Sequence, residues 1–201
     1  MSFAVQQSSA DDAESVRLRA ENDHLRRELR ALEIRLGELE RLADSDTLTP
    51  LLNRRAFLRE VERSISRASR HGTSIAVMIA DLDGLKAIND TAGHQAGDAA
   101  LIHVGYTLKA QLRASDTVAR IGGDEFGMIL EKFDAYAVSA KAKALAEAIA
   151  SQEVEGHYIA ISIGYAILDP DDTLDTIIAR ADAAMYARKR AQRATHHRSE
   201  R

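Results

Sequence analysis

At 201 residues with 45% hydrophobic content, the chain is long enough for one sizeable domain plus an appended element. A net charge of −4 and a pI near 6.0 argue against a protein that grips nucleic acid by general electrostatics. The absence of cysteine excludes disulfides and thiolate metal sites, no run approaches the roughly 20 apolar residues that span a bilayer, and the opening MSFAVQQSSADDAES lacks a signal-peptide pattern. A soluble, cytoplasmic protein with neither a membrane nor a nucleic-acid partner is expected.

In chain order, residues 1–10 are expected to be disordered and 11–43 to form a long helix. Residues 11–43 lack Pro and aromatic side chains, and Leu18, Leu25, Leu32 and Leu39 recur every seven residues. With these at d, the a positions fall on Asn22, Leu29, Leu36 and Ala43. That is the seam of a coiled coil, and a polar Asn at one a position favours two strands in register. In a parallel pair Glu14 meets Arg19, Glu21 meets Arg26 and Arg35 meets Glu40, while only Glu28 against Glu33 repels. Each surface pair is worth only about 0.2–1 kcal/mol, but the sign pattern selects orientation. A helix packed on its own domain would show a broader apolar face, so the narrow seam predicts a parallel homodimer through 11–43.

The short turn ADSDTLTP leads into a different pattern. Residues 53–71 read as an amphipathic helix, and SIAVMIADLD (74–83) as a buried strand ending in carboxylates. A helical stretch covers about 95–113. Residues 116–122 and 125–131 form a hairpin around Gly122 and Gly123. KAKALAEAIA is helical, HYIAISIGYAIL a strand, and 173–193 a last amphipathic helix. The expected fold is an α/β sandwich over 44–194 with a mostly antiparallel central sheet, followed by a flexible tail at 195–201.

Carboxylates at the ends of neighbouring strands, Asp81 and Asp83 on one and Asp124 and Glu125 on the other, suit a hard cation such as Mg²⁺. A Gly-Gly-Asp turn is ordinary in hairpins, and Asp83 could simply cap the helix that follows it. Asp81, however, ends a strand expected to be completely buried, where an unpaired carboxylate is expensive.

Four separated segments resemble the GGDEF family. RIGGDEFGMIL carries its signature hairpin, and DLDGLKAINDTAGHQAGD (81–98) its strand-to-helix segment. DTLTPLLNRRAF (46–57) resembles its opening, and ADAAMYARKRAQRA (181–194) its final helix. The departures are mild: Pro50 stands for Gly, Leu85 for Phe, and Gln192 and Ala194 for Gly and Asn. The resemblance implies condensation of two GTP molecules into cyclic di-GMP. Asp81, the backbone of Leu82, Asp124 and Glu125 would hold Mg²⁺, with Mn²⁺ the alternative. Asp124 or Glu125 would help deprotonate the ribose 3′-hydroxyl, and Lys86 would stabilise phosphate charge. Asn89 and Asp98 would read guanine, Gly122 and Gly123 would make room for the nucleotide, and Lys189 and Arg193 would bind its outer phosphates. A carboxylate at Asp98 accepts from guanine N1–H and the N2 amino group, which adenine cannot match.

The family resemblance further implies a dimer, since each domain binds one GTP, and the coiled coil would supply it at high effective concentration. Arg113 and Asp116 match an R-x-x-D product-inhibition site for cyclic di-GMP, completed by Arg67 or Arg70 of a second subunit. A regulatory protein acting on the stalk is a further expected partner. The alternative reading is a catalytically weak GGDEF domain that serves as a cyclic di-GMP receptor or scaffold.

Overall fold

The computed structural model describes the backbone of residues 2–133 and 135–199; the side chains of residues 1–16, 19, 20, 23, 40, 41, 134, 135 and 192–201 lie outside the described set. The chain divides between Ala43 and Asp44 into two compact units. The first is one helix, α1 (Ser2–Asp44). It begins well before residue 11, so residues 2–10, expected to be disordered, continue the helix. That stretch holds no Gly or Pro, and extending an existing helix costs far less than nucleating one. Leu18, Leu25, Leu29, Leu32, Leu36 and Leu39 are 55–63% exposed along it. Among the described residues no helix is long and apolar enough to cross a membrane.

The second unit is built on a five-stranded sheet. Its strands are β1 (Leu52–Asn53), β2 (Ile75–Asp83), β3 (Thr117–Arg120), β4 (Glu125–Glu131) and β7 (Ala160–Ile167), in the order β1-β3-β4-β2-β7. β2 lies inside the sheet, antiparallel to β4 on one side and to β7 on the other. Its continuous apolar run follows from burial on both faces. Ala76, Met78, Ala80 and Leu82 join the core with α4 (His94–Gln111) and α5 (Ala135–Ala150). Ile75, Val77 and Ile79 face α2 (Arg54–His71) and α6 (Leu174–Ser199). Strand alternation puts Asp81 and Asp83 on the second face as well.

The sheet is mostly antiparallel, as expected; the parallel pair is β1 with β3. Two residues are too few for periodicity to reveal. The expected strand 157–168 divides at Ile159. Its first part, β6 (His157–Tyr158), pairs instead with β5 (Glu153–Val154), through a turn with positive φ at Glu155 and Gly156. At the other end, α6 continues through Ser199, into the expected tail.

Local signals explain the helix ends. Asn53 caps α2 by accepting from the Ala56 N–H at 3.0 Å, and Gly72, at φ 63°, closes it by donating to the Ala68 carbonyl. Gly164 serves packing instead: a Cβ there would stand 2.5 Å from the Cα of Met185 in α6. Gly164→Ala is therefore expected to destabilise the domain by about 3 kcal/mol, checked by urea unfolding followed by circular dichroism.

Candidate functional site

The strand register brings Asp81 of β2 directly opposite Glu125 of β4, and opposite Ser162 of β7 on the other side. The Lys189 ammonium, reaching down from α6, pairs with Asp81 Oδ1 and lies 4.0 Å from Asp83 Oδ1. Asp83 does not cap the following helix, α3 (Leu85–Ala92), whose N-cap is Gly84 without a side-chain bond. Its carboxylate accepts from Ser162 Oγ at 2.9 Å instead. Burial pushes the Glu125 carboxyl above the usual carboxylate range, and the charges of Asp124, Asp81 and Asp182 add to that, against a smaller opposing pull from Arg54.

This negative cluster calls for a cation, and Lys189 already answers part of that demand. Among the described residues no three acidic or imidazole groups converge into a closed cage. An open pair of carboxylates still fits Mg²⁺, which usually takes one or two from protein and completes its shell with phosphate and water. The donor set therefore suits such an ion.

The hairpin tip is fixed by backbone and arginine. Leu82 N–H donates to the Asp124 carbonyl at 2.9 Å, tying strand end to turn. Arg120 donates from Nη2 and Nε to the Gly123 carbonyl, at 2.7 and 3.2 Å, and Arg54 donates to the Ile121 carbonyl at 3.1 Å. Arg120 also lies 3.5 Å from Asp46. Burial opposes charge on Asp46, yet hydrogen bonds from the Thr49 hydroxyl and N–H hold its carboxyl below the usual range. Neither Gly122 nor Gly123 has a positive φ. A side chain on Gly122 would run into the Glu125 carboxylate, whereas Gly123 faces open space. The first glycine thus makes room for the acid itself, a closer neighbour than the expected nucleotide.

Asn89 and Asp98 sit on either side of the corner between α3 and α4. Gly93 joins the helices at φ 87°, and the Asn89 side chain lies over Gly97, where a Cβ would collide with its amide. Asp98 and Lys86 are exposed, and Leu85 is partly buried beside Gly97. The Arg193 side chain lies outside the described residues.

Arg113 and Asp116 form a closed turn away from this cluster. Arg113 N–H donates to Asp116 Oδ2 at 3.0 Å, and Asp116 N–H to the Arg113 carbonyl at 2.9 Å. They border a cavity of about 510 Å³ with Glu131, Phe133 and Lys141. Arg67 is held within its own chain by Glu60 and Glu131, which keep its guanidinium charged, whereas Arg70 is exposed.

Three residues here were not anticipated from sequence: Arg120, Ser162 and Gly97. Ser162 carried a signal, as the one polar residue at a buried position of the strand ISIGYAI. Arg120 carried less, since an arginine before a turn usually points to solvent.

The family model described as "Diguanylate cyclase, GGDEF domain" matches residues 43–195. The bifunctional diguanylate cyclase/cyclic di-GMP phosphodiesterase MucR of Pseudomonas aeruginosa is 40% identical over 156 residues, covering 76% of this chain and 23% of its own length. The chain spans well under half the length of the curated relatives it matches. Among solved structures, the coiled coil and GGDEF domain of Caulobacter crescentus DgcB, in complex with c-di-GMP, is 31% identical with a TM-score of 0.76. That match covers 87% of this chain and 95% of the other. Diguanylate cyclase SiaD of P. aeruginosa, in complex with its activator SiaC, is 26% identical with a TM-score of 0.77, covering 94% and 75%. The fold, the hairpin and the sequence likeness converge: this chain belongs to the diguanylate cyclase GGDEF-domain family.

Proposed function

We propose that this protein is a diguanylate cyclase that joins two GTP molecules into cyclic di-GMP and releases two pyrophosphates. The observation that carries the reading is the register of Asp81 opposite Glu125, with Lys189 on the same cluster. In each of two equivalent steps a ribose 3′-oxygen bonds to the α-phosphorus of the facing GTP. The bond from that phosphorus to the bridging oxygen breaks, and pyrophosphate leaves with its electron pair. The hydroxyl proton passes to Asp124 or Glu125, or to water they orient.

Asp81, the Leu82 backbone, Asp124 and Glu125 would hold Mg²⁺, or Mn²⁺ in its place. Bound there, the ion would neutralise phosphate charge and lower the hydroxyl pKa. Lys86, Lys189 and Arg193 would balance the phosphates, and Asn89 and Asp98 would select guanine. Glu125, whose carboxyl is reluctant to ionise alone, would ionise and serve as a ligand with a cation beside it.

The chemistry needs two facing domains, and the exposed leucine seam of α1 suits a parallel homodimer. The crystallised coiled coil and GGDEF domain of DgcB supports that reading, and the complex of SiaD with SiaC supports an activating protein as a partner. The cavity beside Arg113 and Asp116 suits cyclic di-GMP as an inhibitor. Arg113→Ala is expected to raise the inhibition constant for cyclic di-GMP about tenfold or more while leaving the initial rate unchanged. Initial rates measured with added product check this. The reading as a whole is tested by incubating the protein with GTP and Mg²⁺ and identifying products by mass spectrometry. Cyclic di-GMP is expected, with ATP left unreacted.

A further inference from the structure

Asp81 and Asp83 occupy successive same-face positions of β2, and the Lys189 ammonium reaches both. It is bonded to Asp81 Oδ1 and stands 4.0 Å from Asp83 Oδ1. Asp83 is held from the neighbouring strand. The Ser162 hydroxyl lies 2.9 and 3.1 Å from its two oxygens, on a residue only 1% exposed. A hydroxyl that deep in an apolar strand costs stability unless it is bonded, and the Asp83 carboxylate supplies an acceptor.

We infer that Asp83 and Ser162 are positioning residues for the phosphate-binding lysine. The inference rests on the cation-binding role proposed above for Asp81. A divalent cation and an ammonium compete for the same Asp81 oxygen, and at close range in a half-buried site their mutual repulsion is large. When Asp81 turns to a cation, Lys189 loses its direct partner. Asp83, fixed in orientation by Ser162, is the next anion within reach. It keeps the ammonium at the edge of the cluster, where a triphosphate arrives, instead of releasing it to solvent. Lys189 then exchanges Asp81 for Asp83 and a phosphate oxygen, and little of its long side chain's freedom must be lost at the moment of binding.

Binding of Mn²⁺ together with a non-hydrolysable GTP analogue tests this in the full chain. Electron paramagnetic resonance reads free Mn²⁺, and calorimetry reads the analogue. Asp83→Asn is expected to weaken analogue binding about tenfold in the native background, but less than about twofold in a Lys189→Met background. Ser162→Ala is expected to cost about threefold, and Ser162→Thr, which keeps the hydroxyl, to restore binding. Equal losses from Asp83→Asn in both backgrounds would show that Asp83 acts independently of Lys189, and would overturn the inference. A native protein that binds neither Mn²⁺ nor analogue would instead overturn the proposed activity, and this inference with it.

Discussion

Glu125→Gln is expected to abolish cyclic di-GMP synthesis and, at the same time, to stabilise the metal-free protein. The loss of activity should be about a thousandfold or more, since the substitution would remove a proposed cation ligand and one of the two carboxylates proposed to take the hydroxyl proton. The gain in stability has a separate origin. Burial and the neighbouring charges of Asp124, Asp81 and Asp182 raise the Glu125 carboxyl above its ordinary value. The folded protein therefore holds that proton more tightly than the unfolded chain does. Stability from this group is fully present below the unfolded value and is lost as pH rises through the folded one. Glutamine mimics the protonated form at every pH, so it removes the decline. In the presence of a chelator at neutral pH, the variant is expected to melt about 2 °C or more above the native protein. Added Mg²⁺ should reverse the order, because it binds the folded native site and not the variant. A thermal melt series against pH, with chelator and with Mg²⁺, checks each sign.

The second large effect concerns the stalk. Leu25 and Leu32 are successive d positions of the proposed coiled coil, 55% and 62% exposed on α1. Burying such leucines against a partner contributes about 1.5–3 kcal/mol each, and a charge in their place reverses the sign. Leu25→Asp with Leu32→Asp is expected to give a monomer by sedimentation. Its specific activity at about 1 µM protein should fall about a hundredfold, because the two half-sites lose the millimolar effective concentration of a linked pair. The activity should return as protein concentration rises, since each domain keeps its own cluster intact. A loss that concentration does not restore would place the defect in the domain rather than in pairing.

Much of this was legible in the sequence, for identifiable reasons. β2 reads as a strand because it is buried on both faces, which makes its apolar run continuous. The hairpin reads from its Gly-Gly turn, and the juxtaposition of Asp81 and Glu125 follows once β2 and β4 are neighbours. What the sequence concealed is set by side chains finding each other across the fold. Asp83 looks like a helix cap, but Gly84 takes that position and Ser162, 79 residues away, takes Asp83. The family resemblance marks Lys189 as a phosphate ligand, but its pairing with Asp81, 108 residues away, shows only in the fold. Gly122 looks like a turn glycine, yet its conformation is open to any residue and its small size serves Glu125. The two-residue β1 and the β5–β6 hairpin are too short to carry a period. Arg67 shows a further limit: its charge was apparent, but its engagement with Glu131 depends on α2 lying beside β4.

The Asp81–Glu125 cluster is proposed to carry the attack of one GTP's ribose 3′-oxygen on the α-phosphorus of the other. Its most direct test is the ratio of pyrophosphate to cyclic di-GMP formed from GTP and Mg²⁺, for the native protein and for Asp81→Asn. Two pyrophosphates per cyclic di-GMP are expected from the native protein, and neither product above background from the variant. Equal synthesis by both, or no cyclic di-GMP from a folded, dimeric native protein, would contradict it.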